Sequence, residues 1–191
     1  MTSFVVNLKP AIDLSDDAFF ELCRNNHELK FERNSNGDLI IMSPTGGETG
    51  NRNFNLIGQF GNWVEKDGTG VGFDSSTGFK LPNGADRSPD LAWVRLDRWN
   101  ALTPEQRKKF PPITPDFVAE LRSATDSLKA LQEKMQEYIA NGTRLGLLLN
   151  PKGSQVEIYR PGVDVIVLNN PQTVPCDPEL PGFILSLKDI F

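Results

Sequence analysis

Residues 115–151 read PDFVAELRSATDSLKALQEKMQEYIANGTRLGLLLNP, and this stretch decides the fold class. DFVAEL (116–121) is mostly apolar and has strand character. The polar break Arg122-Ser123-Ala124-Thr125-Asp126 follows, and then a helix to about Asn141. Gly142 is suited to the position just past that helix, where a left-handed backbone is commonly required. LGLLLN (145–150) is almost wholly apolar, which predicts a central strand covered on both faces. Strand, helix, strand in this order implies an α/β protein whose mixed central sheet is flanked by helices.

The flanking sequence extends that pattern. On the C-terminal side, QVEIYR, the turn PGVD and VIVLN read as a hairpin, and GFILSLKDIF ends in a strand and a short turn. On the N-terminal side, PDLAWV (89–94) reads as a strand. Residues 95–115 form a polar, basic, proline-rich excursion with a helical turn or two. Short strands are expected near 72–81. A long helix is expected over roughly 48–66, with Phe54, Ile57, Phe60 or Gly61, and Val64 at helical spacing. Before it lies an N-terminal helix and hairpin, 15–42. Ser15 caps the helix, Asp16 and Asp17 suit its N-terminal dipole, and Asn36-Gly37 marks the hairpin turn.

The chain has 191 residues, enough to bury a substantial core, and the expectation is a single domain over 1–191. No apolar run approaches the ~20 residues of a spanning helix. The N-terminus lacks the basic and apolar regions of a leader, so a cytoplasmic location is expected. Cys23 and Cys176 stand far apart, which implies neither a disulfide framework nor structural zinc. His27 is the single histidine, which rules out a multi-histidine metal cluster; it reads as structural. The net charge of −5 argues against gripping nucleic acid by bulk electrostatics, though not against a few phosphate contacts made locally.

Two acids stand in segments that otherwise read as buried: Asp90, opening its strand, and Glu120, inside DFVAEL. A buried carboxylate costs several kcal/mol unless it is paired, hydrogen-bonded or metal-bound. A pair of such acids suits Mg²⁺ or Mn²⁺, which take one or two carboxylates plus water and phosphate oxygens. The alternative is that Glu120 pairs with Arg122, or that both acids end their strands in water. Asp116 shares a strand face with Glu120, but at about 3.3 Å per residue it lies roughly 13 Å away and cannot share an ion. Arg122 is only about 6.6 Å along and could reach a phosphate.

On the helix that follows, Leu128, Leu131, Met135, Tyr138 and Ile139 make one apolar stripe, and Lys134 is the charged residue nearest it. Its ammonium either snorkels to water or points back toward the carboxylates. Glu48 opens the long helix. It is either a first-turn glutamate favoured by the helix dipole or a further metal ligand. Arg95, Arg98, Arg107, Lys108 and Lys109 form a basic group in the excursion, either solvated or against a DNA backbone.

Asp90 after Pro89, Glu120 in a later strand and Lys134 on the next helix resemble the PD-(D/E)xK superfamily of restriction-endonuclease-like nucleases. More narrowly, SPTGGETGNRN, SPDLAWVRLDRW, the stretch quoted at the outset and VEIYRPG look like the Uma-two family of endonucleases. The resemblance runs from about 43 to 162. It implies a restriction-endonuclease-like core and a Mg²⁺-dependent endonuclease acting on DNA. Asp90, Glu120 and Glu48 then match the metal-binding acids. The superfamily's ExK lysine falls at Arg122, whereas the narrower family carries a lysine on the following helix, matched by Lys134. Two other readings stay open: a catalytically degenerate DNA- or protein-binding module of the same fold, and a hydrolase of smaller phosphodiesters. Exposed edges of such sheets often pair, which leaves room for a homodimer.

Overall fold

The computed structural model describes residues 3–191. Its main sheet has six strands, β4 (Gly70–Asp74), β7 (Leu91–Arg95), β8 (Phe117–Leu121), β9 (Leu145–Asn150), β10 (Gln155–Tyr159) and β11 (Ile166–Asn169), ordered β11-β10-β9-β8-β7-β4. Only β8 and β9 are parallel; every other pair is antiparallel. A parallel neighbour needs a long crossover. Helix α5 (Leu128–Ala140) makes it, lying against β9 and β10. Ser127 caps α5 by accepting the Ala130 N–H, and Gly142, at φ +109°, follows its end. As the apolar sequence of β9 implied, all six of its residues are buried.

A second, wholly antiparallel sheet is built from β1 (Ser3–Val6), β2 (Lys30–Arg33), β3 (Leu39–Met42), β5 (Phe79–Lys80) and β6 (Asp86–Arg87) in the order β1-β3-β2-β6-β5. β2 and β3 are the expected hairpin, and Gly37 in its turn has φ +91°. Helix α1 (Asp16–Asn25) precedes it, with the Ser15 side chain accepting the Ala18 N–H. The chain passes from β6 into β7 through Ser88, Pro89 and Asp90, so one short link joins the two sheets. A third, two-stranded sheet pairs β12 (Thr173–Pro175) with β13 (Ile184–Ser186).

The two faces of the main sheet bury different sets. One carries Trp93, Phe117, Ala119, Leu147 and Val156 against helix α2 (Gly47–Asp67) and the β12–β13 region. The other carries Ala92, Val94, Val118, Leu148 and Tyr159 against α5. Strand alternation places Glu120 on this second face, with Val118. The excursion after β7 contains two short helices, α3 (Leu96–Asn100) and α4 (Pro104–Lys108).

Two sequence expectations change. Phe54 is not on the buried stripe of α2, being 74% exposed; Leu56 and Phe60 are buried, with Ile57, Trp63 and Val64 packed beside them. β1, β6 and β12 were not anticipated, because strands this short leave too few residues to show a period. Among the described residues no helix is long and apolar enough to cross a membrane. Both cysteines are free thiols.

The β4–β7 pair rests on a close approach. A Cβ on Gly70 would come within 2.2 Å of the Trp93 ring, which lies diagonally across from it. Gly70→Ala should therefore destabilise the protein by about 1–3 kcal/mol, the usual cost of overpacking a rigid neighbour. Gly58, inside α2 with nothing within 4 Å of its added Cβ, should behave oppositely. Gly58→Ala should stabilise by about 0.5–1 kcal/mol. Urea unfolding of the two variants checks both signs.

Candidate active site

The two strand acids meet through sheet register. In the antiparallel β7–β8 pair Leu91 faces Ala119 and Ala92 faces Val118. Continued by one step, that register sets Asp90 opposite Glu120. Asp90 is half-buried, and its Oδ2 accepts the Leu121 N–H at 2.8 Å, which ties its carboxylate to the strand beside it. Glu120 is only 4% exposed.

Helix α5 brings the groups that meet Glu120. Met135 and Tyr138 anchor the helix on the sheet, with Leu128, Leu131 and Ile139 at the margin. Lys134, next to Met135, is thereby carried under the helix, and its side chain is 12% exposed. Its Nζ lies 2.8 Å from Glu120 Oε1. The ammonium therefore points back to the carboxylates and does not snorkel. Tyr138 donates its hydroxyl to the same Oε1 at 3.1 Å.

The second sheet closes the other side. Glu32, on β2 and 3% exposed, accepts from Lys134 Nζ at 2.8 Å through Oε1. The same oxygen accepts the Ser88 N–H at 2.9 Å, and Oε2 accepts from Arg87 at 3.0 Å. Arg87 also donates through Nε to Glu137 of α5 at 2.6 Å. The β2–β6 register, in which Arg33 faces Asp86, is what sets Glu32 beside Arg87. Sequence reasoning missed Glu32 and Arg87. Glu120 stood out as an acid in an apolar strand, whereas Glu32 sits in ELKFER among other charges and reads as a solvated hairpin face. Its burial arises from contacts with segments more than fifty residues away, which no local pattern shows.

These contacts set opposite proton affinities for the two glutamates. Burial alone would raise Glu32, but the Lys134 and Arg87 charges outweigh it and bring its carboxyl down to about 2. Burial pushes Glu120 up to about 7; the nearby Asp90 and Glu32 charges add to the rise, against the pull of Lys134. Despite burial, Lys134 is held firmly protonated by Glu120 and Glu32.

Other residues singled out in the sequence lie elsewhere. Glu48 does not join the acids: its side chain is 81% exposed and pairs with Arg52 at 3.2 Å, one turn along α2. Arg122 does not pair with Glu120. It turns to the loop after β8 and to β9, donating to the Asp126 carbonyl at 3.2 Å and to Asn150 Oδ1 at 3.0 Å. His27 is exposed in the turn between α1 and β2. In the excursion, Arg95 pairs with Asp97, Arg98 with Asp116 and Lys109 with Asp17. Arg107 donates to the Asn100 carbonyl. A cavity of about 580 Å³ lies between α5 and the β2–β3 hairpin, and Glu32, Arg87 and Lys134 are in its wall.

Among the described residues no three histidine, cysteine or acidic side chains gather as a metal cluster. Glu32 and Glu137 are engaged by Lys134 and Arg87, and the acids set side by side across β7 and β8 are Asp90 and Glu120. Their contacts with the protein use Asp90 Oδ2 and Glu120 Oε1, leaving Asp90 Oδ1 and Glu120 Oε2 without a hydrogen bond among the described residues. One free oxygen on each of two facing carboxylates fits a hard divalent cation that completes its shell with water and phosphate oxygens.

Residues 16–188 match the sequence pattern of the Uma2 family, described as "Putative restriction endonuclease". No curated protein matches the chain. Among solved structures, the chain is similar to the crystal structure of a "putative nuclease belonging to DUF820" from Anabaena variabilis, with TM-score 0.71 and 20% identity over 84% of this chain and 89% of that one.

The opposed shifts of the two glutamates give a test in the metal-free protein. Between pH 4.5 and about 7 the folded protein holds a proton on Glu120 that the unfolded chain has released, so stability falls as pH rises. Glu32 acts in the reverse sense, its contribution being lost as pH falls from 4.5 toward about 2. Glu120→Gln should flatten the upper slope, worth a few kcal/mol, and leave the lower one. Urea unfolding across pH 3–8 in the presence of chelator, compared between wild type and variant, reads the difference.

Proposed function

The chain belongs to the Uma2 family and has a restriction-endonuclease-like fold, and on that premise we propose that it is a Mg²⁺- or Mn²⁺-dependent endonuclease hydrolysing DNA phosphodiester bonds. The observation that carries this reading is the convergence of Asp90, just before β7, with Glu120 of β8 and Lys134 of α5, the ammonium lying 2.8 Å from Glu120. Two acids at adjacent strand ends and a cation brought to them by a helix match what metal-assisted phosphodiester cleavage requires.

Asp90 and Glu120 would hold the divalent ion. When bound there, the ion would supply Lewis acidity toward the phosphodiester and its attacking water. The protein's own groups have separable tasks. Glu120 must give up its proton to bind the cation, which its elevated pKa makes dependent on pH near neutrality. Lys134 remains charged and can stabilise the negative charge that builds on the phosphoryl oxygens. Tyr138, held at Glu120 Oε1, orients that carboxylate. Arg122 supports the end of β8 through the Asp126 carbonyl and Asn150. Glu48, outside this group, would hold no ion.

The net charge of −5 and the internal pairing of Arg95, Arg98 and Lys109 favour one other reading, a degenerate member of the fold that binds without cutting. Metal binding and plasmid nicking separate the two. In calorimetric titration with Mn²⁺, wild type should bind, with affinity rising from pH 6 to 8 and proton release on binding. Glu120→Gln and Asp90→Asn should lose binding and metal-dependent nicking together, while Glu48→Gln keeps both. Nicking that survives in Glu120→Gln would remove this site from the reaction. Absence of both binding and nicking in wild type would leave the degenerate module.

A further inference from the structure

Lys134 is anchored twice, and the two anchors differ in kind. Glu120 belongs to the proposed metal pair, so a cation there would draw on the same carboxylate that now holds the ammonium. A lysine has a flexible four-carbon stem and swings to water once its counter-charge is withdrawn. Glu32 is placed to prevent that. Its Oε1 is held by the Ser88 amide and its Oε2 by Arg87, so the carboxylate is fixed from behind before Lys134 is considered. Arg87 in turn is bound to Glu137, three residues along α5 from Lys134. Lys134, Glu32, Arg87 and Glu137 thus form a ring closed through the backbone of α5. The ammonium donates to Glu32 and is ion-paired with Glu120 at 2.8 Å, and Lys134 lies in the wall of the cavity between α5 and the hairpin.

We infer that Glu32 is a positioning residue, whose carboxylate keeps the Lys134 ammonium at the cavity wall when Glu120 is engaged by a cation. This rests on the reading of Lys134 as part of a nuclease site. The hydrogen bonds of Glu32 go to Lys134, Arg87 and the Ser88 amide and not to Asp90 or Glu120, so it acts through Lys134. The second sheet is thereby a working part of the site, supplying through β2 and β6 the frame that aims a side chain of α5.

The test compares Glu32→Gln and Glu32→Asp with wild type at saturating Mn²⁺ on supercoiled plasmid. Both should lower kcat, Glu32→Gln by about tenfold to a hundredfold, as for other groups that orient a reacting side chain. The KM for DNA and the midpoint of the Mn²⁺ titration should stay within about twofold, which a general loosening of the fold would not allow. In a Lys134→Gln background, adding Glu32→Gln should cost nothing further. Independently of activity, the rate at which acetic anhydride modifies Lys134, read by peptide mass spectrometry in the presence of Mn²⁺, should rise in Glu32→Gln. If Lys134→Gln abolishes nicking while both Glu32 variants keep wild-type kcat, the inference fails and the nuclease reading stands. If wild type neither binds Mn²⁺ nor nicks, the nuclease reading fails, and with it the role of Glu32. Should Glu32→Gln not fold, Glu32→Asp carries the same kinetic and labelling comparison; unchanged values there overturn the inference.

Discussion

The ammonium of Lys134, largely enclosed, ties the two sheets together. It lies 2.8 Å from an acid of the main sheet and 2.8 Å from an acid of the second sheet, and it is carried by the helix that crosses between the two parallel strands. Neither glutamate could be ionised there alone, because a desolvated carboxylate without a counter-charge costs several kcal/mol. The packing of α5 by Met135 and Tyr138 is therefore more than cohesion. It sets the depth at which one positive charge serves two negative ones.

The division of that charge is unequal, and the inequality has a structural cause. Glu32 shares Lys134 but also has Arg87 and a backbone amide, so it remains an anion with its position fixed. Glu120 has Lys134 and a neutral hydroxyl, with the negative Asp90 beside it, and so holds its proton toward neutrality. Two glutamates on the same lysine thus become different chemical groups: one a fixed anion, the other a carboxyl that exchanges its proton near neutrality. The same separation of roles by environment is common where carboxylates do chemistry.

Much of this was legible in the sequence because it depends on local periodicity. The apolar run of β9, the stripe of α5 and the acid inside DFVAEL each signal burial within a single element. Lys134 could be singled out because a helical wheel gives its angle to the stripe. Legibility ended where the third dimension joins distant segments. Glu32 lies 102 residues from Lys134, within a hairpin whose charges look solvent-facing. Phe54 misled for the opposite reason: its spacing is helical, but the stripe is centred on Leu56 and Phe60. Glu48 has the residue type and helix position expected of a ligand, yet its carboxylate is turned to solvent and to Arg52. Spacing restricts which residues can share a face; it does not say which face another element will cover.

The long separation between Glu32 and Lys134 also governs the order in which the protein is made. The ribosome releases the N-terminal segments first, and these begin to fold as they emerge. Both Glu32 and Asp90 leave the exit tunnel well ahead of α5, so every nascent or truncated chain ending before that helix carries the acids without their cation. Such chains lack the helix that walls the cleft, and Glu32 keeps only Arg87 and the Ser88 amide as partners. Strand β9, on which α5 packs, follows it in the chain, so Lys134 meets both glutamates only once the crossover is complete.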